Sequence, residues 1–410
     1  MITENIASPT RFIGLDIHKH YAVAVGVDPG GEKVLGPQRV RMSDLEAWIL
    51  RTLSAQDAVV IEMTTNTWRV YDDLAPHVHS VTVVHPPHVK AITTPKVMTD
   101  RIAASRLAKL LAKGLLVSIW VPGQEVRDLR ALIARRAKMA SLSTQAKNRL
   151  HAVLHRHHLS LPKQGNPFAP EQRVWWIGLP ISSAEKVCLL VDFETLSFAQ
   201  SQMRLIEASL KELAAQDERV PWLLQVPGIS LIVSMTLLAA IDDIRRFPCA
   251  KKLVGYAGLG AGVHDSGQKK RSGKITKTGR RDLRTAMVEA AQTAVNHDRH
   301  WKAELARLEP RLGRNKAIVA IARKMLVAVW HILSKEEVYR YAETERTARK
   351  LMQHAYRLGK ANRPKGESPG AFTRRQLDRL GIAQELTEIS WGTVKKPIPL
   401  PPSSLPAPGD

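Results

Sequence analysis

The tightest constraint on this chain is a series of short apolar runs between residues 11 and 121, each of strand length and each closed by turn residues. RFIGLDI and YAVAVGV come first, and Asp28-Pro29-Gly30-Gly31 turns the chain toward a third strand near Lys33–Val40. Ser43, with Glu46 three residues on, has the pattern of a capping box. Leu45, Trp48, Ile49 and Leu53 form the buried stripe of the helix it opens. AVVIEM (58–63) predicts a fourth strand, Trp68–Leu74 a second helix and SVTVV (80–84) a fifth strand. Thr99 caps a third helix, which carries Leu107, Leu110 and Leu111. Three consecutive strands followed by alternating helix and strand predict an α/β domain.

That order is the order of an RNase H-like fold, and three carboxylates mark its edges. Asp16 follows three apolar residues on the first strand, Glu62 ends the fourth, and Asp100 opens the third helix. Singly, each suits a loop cap or a helix N-terminus. Together they stand out, because the chain has 61 Lys and Arg against 38 Asp and Glu, a net charge of +23. Neighbouring strands lie about 4.8 Å apart, so acids on adjacent strands can share a hard divalent cation, Mg²⁺ or Mn²⁺. Such a cation beside a basic surface suits the cutting and rejoining of nucleic acid.

The charge predicts a polyanionic partner, nucleic acid before membrane. The longest apolar run, Ile229–Ile241, is too short to span a bilayer and ends at Asp242 and Asp243. The N-terminal residues lack the basic and apolar regions of a signal peptide. Cys188 and Cys249 form no metal-ligand spacing and suit a reducing compartment. The expectation is a cytoplasmic protein, associated with a bacterial nucleoid and with no membrane partner.

Four segments are expected: an acidic metal domain (9–122), a basic helical and heptad-like segment (123–219), a helical domain (220–340) and a basic extension with a Pro-rich, disordered tail (341–410). In the second, Arg130, Arg135, Arg136, Lys147 and Arg149 are candidate nucleic-acid contacts. Leu189, Leu196, Met203 and Leu210 recur every seven residues, which fits either a hairpin within the chain or a dimerising coiled coil. In the third, Pro227-Gly228 precedes an apolar helix in the manner of a helix-hairpin-helix, where helix-start amides hold a phosphate. A Gly-rich loop follows with Ser266-Gly267, then Lys269, Lys270, Arg271, Lys274, Lys277, Arg280, Arg281 and Arg284. Ser266 could attack a phosphodiester among these cations, or the loop could grip backbone phosphates only. His264 and Asp265 are too close in sequence to complete a Ser-His-Asp triad with it.

Taken together, GLDIHK, VIEMT, the T-D-R-I helix start, PGI, FPCAKKLVGYAGL and S-G followed by KITKTGRRDLR resemble the DEDD-type insertion-sequence transposases, the bridge-RNA-guided serine recombinases. The resemblance spans about residues 11–340. It implies a RuvC-like domain that binds Mg²⁺ through Asp16, Glu62 and Asp100, and Ser266 as nucleophile. It also implies a phosphoserine intermediate, a structured bridge RNA that pairs with double-stranded target and donor DNA, and a homotetramer. The family's fourth acid belongs three residues after Asp100, where this chain has Ala103. The rival expectations are a junction-resolving nuclease that hydrolyses DNA with water and a non-catalytic binder of structured nucleic acid.

Overall fold

The computed structural model describes residues 8–92, 99–162, 165–266, 269–364 and 366–401, the side chains of 263–272 excepted. The chain forms two compact units, divided between Pro122 and Gly123.

The first unit is built on β1 (Arg11–Ile17), β2 (Tyr21–Val27), β3 (Lys33–Arg41), α1 (Leu45–Thr52), β4 (Asp57–Glu62), α2 (Thr67–Leu74), β5 (Ser80–Val84), α3 (Pro86–Ile92) and α4 (Asp100–Ala112). Its five strands lie in the order β3-β2-β1-β4-β5. β1 runs antiparallel to β2 and parallel to β4, and β4 runs parallel to β5. Successive strand side chains point to opposite faces, so the central strands feed two cores. Ile13, Leu15, Val59 and Ile61 pack with Trp48, Ile49, Val70 and Leu74 of α1 and α2. On the other face, Val60 and Val84 pack with Leu107 and Leu110 of α4, and Val23 and Val25 with Ala104. Burial on both faces explains why these strands read as continuous apolar runs.

One local expectation fails here, and one short helix was not expected. Met42–Asp44 form a 3₁₀ turn, so Ser43 lies inside the entry to α1 and hydrogen-bonds Asp44 at 2.9 Å instead of capping. The short helix α3 follows β5 without a periodic apolar stripe; Val89 is its one fully buried residue.

The second unit contains α5 (Gln124–Arg156), α6 (Arg173–Ile177), α7 (Ser183–Gln216), α8 (Arg219–Leu224), α9 (Leu231–Ile241), α10 (Ala250–Tyr256), β6 (Ala261–Ser266), β7 (Lys269–Ile275), α11 (Arg281–His297), α12 (Arg299–Leu312), α13 (Arg314–Lys335), α14 (Thr344–Leu358), α15 (Pro369–Arg379), β8 (Glu388–Trp391) and β9 (Val394–Pro397). α7 folds back along α5, and Leu189, Phe193 and Leu196 pack against Ala146, Leu150 and Val153. The heptad seam is therefore spent inside the chain, while Val187, Val191, Phe198 and Leu205 stay exposed on another face of α7. α13 is long and apolar enough to cross a membrane, yet it lays Ile318, Ile321, Met325, Leu326, Val329 and Ile332 into the unit's core.

The expected Gly-rich loop is instead a two-stranded antiparallel ribbon, β6–β7, in which Ser266 is paired with Lys269 and Asp265 with Lys270. Backbone pairing needs no apolar face, so a ribbon polar on both sides gives no alternation to detect. The basic extension after residue 341 is folded, and of the last twenty or so residues, where a disordered or extended tail was expected, Val394–Pro397 form β9. α14 buries Ala348, Leu351, Met352, Ala355 and Leu358 along one stripe. Ser368 caps α15, and buried Arg374 donates hydrogen bonds to the carbonyls of Pro399 and Ala383 at 2.7 and 3.0 Å. Ile389 and Ile398 join the main core. A regular apolar stripe in a strongly charged segment is enough once a neighbouring surface receives it. Of the Pro-rich tail, residues 402–410 lie outside the described residues.

Candidate metal centre

Gly14 decides where the acids of the first unit can go. A Cβ on it would lie 2.0 Å from the backbone oxygen of Ala104 and 2.6 Å from the amide nitrogen of Ala108, so α4 rests directly on β1. Asp16, two residues further, points to the same side of the sheet. Thr99 accepts a hydrogen bond from the Ile102 amide and starts α4 so that Asp100 is its first residue. The strand end and the helix start thereby bring Asp16 and Asp100 together.

Between them stands His18, which the reading of the acids overlooked. Its Nε2 lies 3.3 Å from Asp16 Oδ2 and 3.4 Å from Asp100 Oδ2. One atom from each of Asp16, His18 and Asp100 falls within 4.8 Å of the others. Nε2 is buried between the two carboxylates. An imidazole nitrogen held there fits a metal ligand. The signal was present in the sequence, since His18 lies two residues after Asp16. Tyr21 braces the cluster: its hydroxyl donates to Asp100 Oδ2 at 2.9 Å and its ring stacks on His18 at 4.6 Å. Arg39 lies over the Tyr21 ring, 3.8 Å from its centroid.

Glu62 stands beside this cluster and not inside it. The register pairs Leu15 with Ile61, so Glu62 comes one step on, next to Asp16. Burial, and then the charge of Asp16, push the Glu62 carboxyl upward. Asp16 is raised by burial and by Asp100, with His18 opposing. Burial and mutual repulsion outweigh the opposing influence of His18 on Asp16 and of Lys90 and Arg106 on Glu62, and a divalent cation would offset both. Ala103, half-buried, lies one turn along α4 from Asp100. Lys33, Arg101, Arg106 and Lys109 line a groove of about 670 Å³ beside the same helix, cations that the sequence reading did not single out.

The raised carboxyls give a test of metal binding without activity. Their ionised forms are disfavoured by folding, so the metal-free protein is favoured below the usual carboxylate range. It loses that stability as pH rises through the raised values. Mn²⁺ or Mg²⁺ should therefore raise the thermal midpoint at neutral pH, and the rise should shrink as the solution is acidified. Thermal unfolding with and without the ion checks this; a shift of equal size at every pH counts against carboxylate ligation.

In the second unit, Ser266 ends β6 and Lys269 begins β7. The side chains of Ser266, Lys269, Lys270 and Arg271 lie outside the described residues. Several expected nucleic-acid contacts are engaged within the fold. Arg130 donates to the Ala239 carbonyl at 2.7 Å, closing the C-terminal end of α9, and burial lowers its pKa. Arg136 pairs with Glu207, Arg149 with Asp192 and Arg280 with Asp282. Arg284 donates to the Ala257 carbonyl at 2.9 Å. Lys147 lies over the Phe168 ring. Arg135, Lys274, Lys277 and Arg281 remain exposed. Gly228, at φ +81°, packs against the α11 backbone, where a Cβ would come 2.0 Å from the Ala290 oxygen.

Comparison with known proteins agrees with the two-part build. A DEDD transposase model of the IS110 type matches residues 13–159, and the model of the Transposase IS116/IS110/IS902 family matches residues 221–306. The transposase for insertion sequence element IS1111A of Coxiella burnetii is 23% identical over 336 residues, covering 80% of this chain and 91% of that protein. An uncharacterized 43.6 kDa protein of insertion element IS110 from Streptomyces coelicolor is 23% identical over 390 residues, covering 80% and 95%. A probable family 20 transposase of Pseudomonas aeruginosa is 30% identical over 158 residues, covering 36% and 47%. Matched through both its α/β and its helical unit, the chain belongs to the DEDD transposase family of IS110-type insertion elements.

Proposed function

We propose that this transposase cuts and rejoins DNA with the help of a divalent cation held by the first unit, an RNase H-like domain of the RuvC type. The observation that carries the reading is the convergence of Asp16, His18 and Asp100, whose ligand atoms lie within 4.8 Å of one another. Mg²⁺ or Mn²⁺ bound there would polarise a scissile phosphate and offset the charge that develops on it. Asp16 and Asp100 supply hard oxygen ligands, Glu62 stands next to Asp16 to hold a coordinated water or to join the shell, and Tyr21 fixes Asp100. In this reading the Ser266 hydroxyl attacks phosphorus, its Oγ–P bond forming as the P–O bond to the leaving strand breaks. The covalent serine–DNA phosphodiester preserves the bond energy for rejoining. Exposed Lys274, Lys277 and Arg281 hold DNA backbone nearby in sequence to that serine. A structured guide RNA that pairs with target and donor DNA, and a homotetramer, complete the proposal; both rest on the family resemblance.

A denaturing gel with labelled DNA, guide RNA and Mg²⁺ tests it. The expected result is a covalent protein–DNA adduct that disappears in Ser266→Ala while folding and nucleic-acid binding persist. Cleaved DNA without an adduct would instead indicate hydrolysis by water. Intact DNA in every lane would indicate a binding protein.

A further inference from the structure

The turn between α8 and α9 faces a cavity of about 610 Å³ whose other wall is α14, part of the extension beyond the family matches. Pro227, Gly228, Ile229 and Ser230 form one side, and Ser230 caps α9 by accepting from the Val233 amide. The other side carries Arg346, Arg349, Lys350, His354 and Arg357, with His297 of α11 at the edge. None of the lining residues is acidic. Lysine and arginine side chains gathered around one cavity without a lining carboxylate make it a positive site, which an anion would offset.

The state of the individual groups sharpens this. Arg346 and Arg349 are held by carboxylates outside the lining, Asp298 and Glu345. Lys350 and Arg357 have no carboxylate partner among the described residues. Lys350 spends one donor on the Val226 carbonyl at 2.7 Å, leaving two of its three. His354 is 3% exposed, and its Nδ1 is buried with no hydrogen-bond partner. Desolvation pushes Lys350 down to about 7 and His354 down to about 4, with Arg346 and Arg357 respectively adding to the effect. A buried polar nitrogen without a partner calls for an explanation, and a ligand in the cavity that His354 lines supplies one.

We infer that this cavity binds a backbone phosphate of nucleic acid, clamped between the α8–α9 turn and the α14 cations. The site rests on the nucleic-acid reading above but is separate from the acid cluster. It gives the C-terminal extension a role: α14 supplies charge to a turn that has none of its own. A helix start contributes oriented amides and partial positive charge, Arg357 contributes a full charge, and Lys350, lowered by burial, takes one up as the phosphate enters.

The test measures binding of the full chain to a short labelled duplex by fluorescence anisotropy between about 50 and 200 mM salt. Each lost phosphate contact should flatten the slope of log affinity against log salt by about 0.9. Arg357→Ala and Lys350→Met are each expected to do so, and Lys350→Arg to keep the original slope. Arg357 is exposed, so its variant remains informative if Lys350→Met fails to fold. Unchanged slopes in Arg357→Ala overturn the proposal while leaving the transposase reading intact. If the wild-type chain binds no duplex, that reading falls first. If inorganic phosphate alone perturbs the cavity while the duplex slopes stay unchanged, the site takes free phosphate and the inference is wrong.

Discussion

Asp16→Asn is expected to lower metal-dependent strand cleavage by at least about a hundredfold, because a metal ligand contributes several kcal/mol to the stabilisation of transition-state charge. The same change should raise the thermal midpoint of the metal-free protein. Asp16 is half-buried, raised by desolvation and repelled by Asp100, so neutralising it removes an unfavourable charge. Opposite signs for activity and stability distinguish a functional acid from a structural one. A variant that loses both would show that Asp16 supports the fold through its contact with His18. The complementary change, Ala103→Asp, adds a carboxylate one turn from Asp100, where residues three apart share a helix face. It should increase both the metal-induced midpoint shift and the single-turnover rate. Equal values in the two proteins at every Mg²⁺ concentration would mean that position 103 faces away from the cation.

Gly14→Val should cost about 3 kcal/mol or more, at the upper end of what overpacking usually costs. The reason is the opposing surface: backbone of α4, 2.0 Å from where a Cβ would stand, and not a side chain that can rotate away. Either the unit unfolds at lower denaturant or α4 lifts from β1. Lifting carries Asp100 away from Asp16, so a variant that stays folded should still lose the metal-induced rise in thermal midpoint. Denaturant unfolding followed by metal titration reads both effects. A wild-type midpoint with an intact metal response would refute the direct seating of α4 on the strand.

Much of the first unit was legible because its physics is local. Strand-length apolar runs, the turn at Asp28–Gly31 and the Thr99 cap are short-range signals, and they gave the positions of five strands and of α4. The polar ribbon β6–β7 was not legible, since it has no apolar face. The signal of α14 was present and passed over: Ala348, Leu351, Met352, Ala355 and Leu358 recur at helical spacing in a segment noted only for its charge. The heptad pattern on α7 left two partners open, and only the packing of Leu189 and Leu196 against Ala146 and Leu150 chose the chain's own α5.

The candidate site divides in the same way. Residue types and spacing by themselves marked Asp16, Glu62 and Asp100, since acids at strand and helix ends are conspicuous in a chain of net charge +23. The tertiary structure decided which of them meet. α4 sits on Gly14, which sets Asp100 opposite Asp16, leaves Glu62 one strand to the side, and closes His18 between the two aspartates. It likewise decided that Arg130, Arg136, Arg149 and Arg280 serve partners within the fold. A basic residue carries the same charge in either role, and only its neighbours in space determine whether that charge is free for a phosphate.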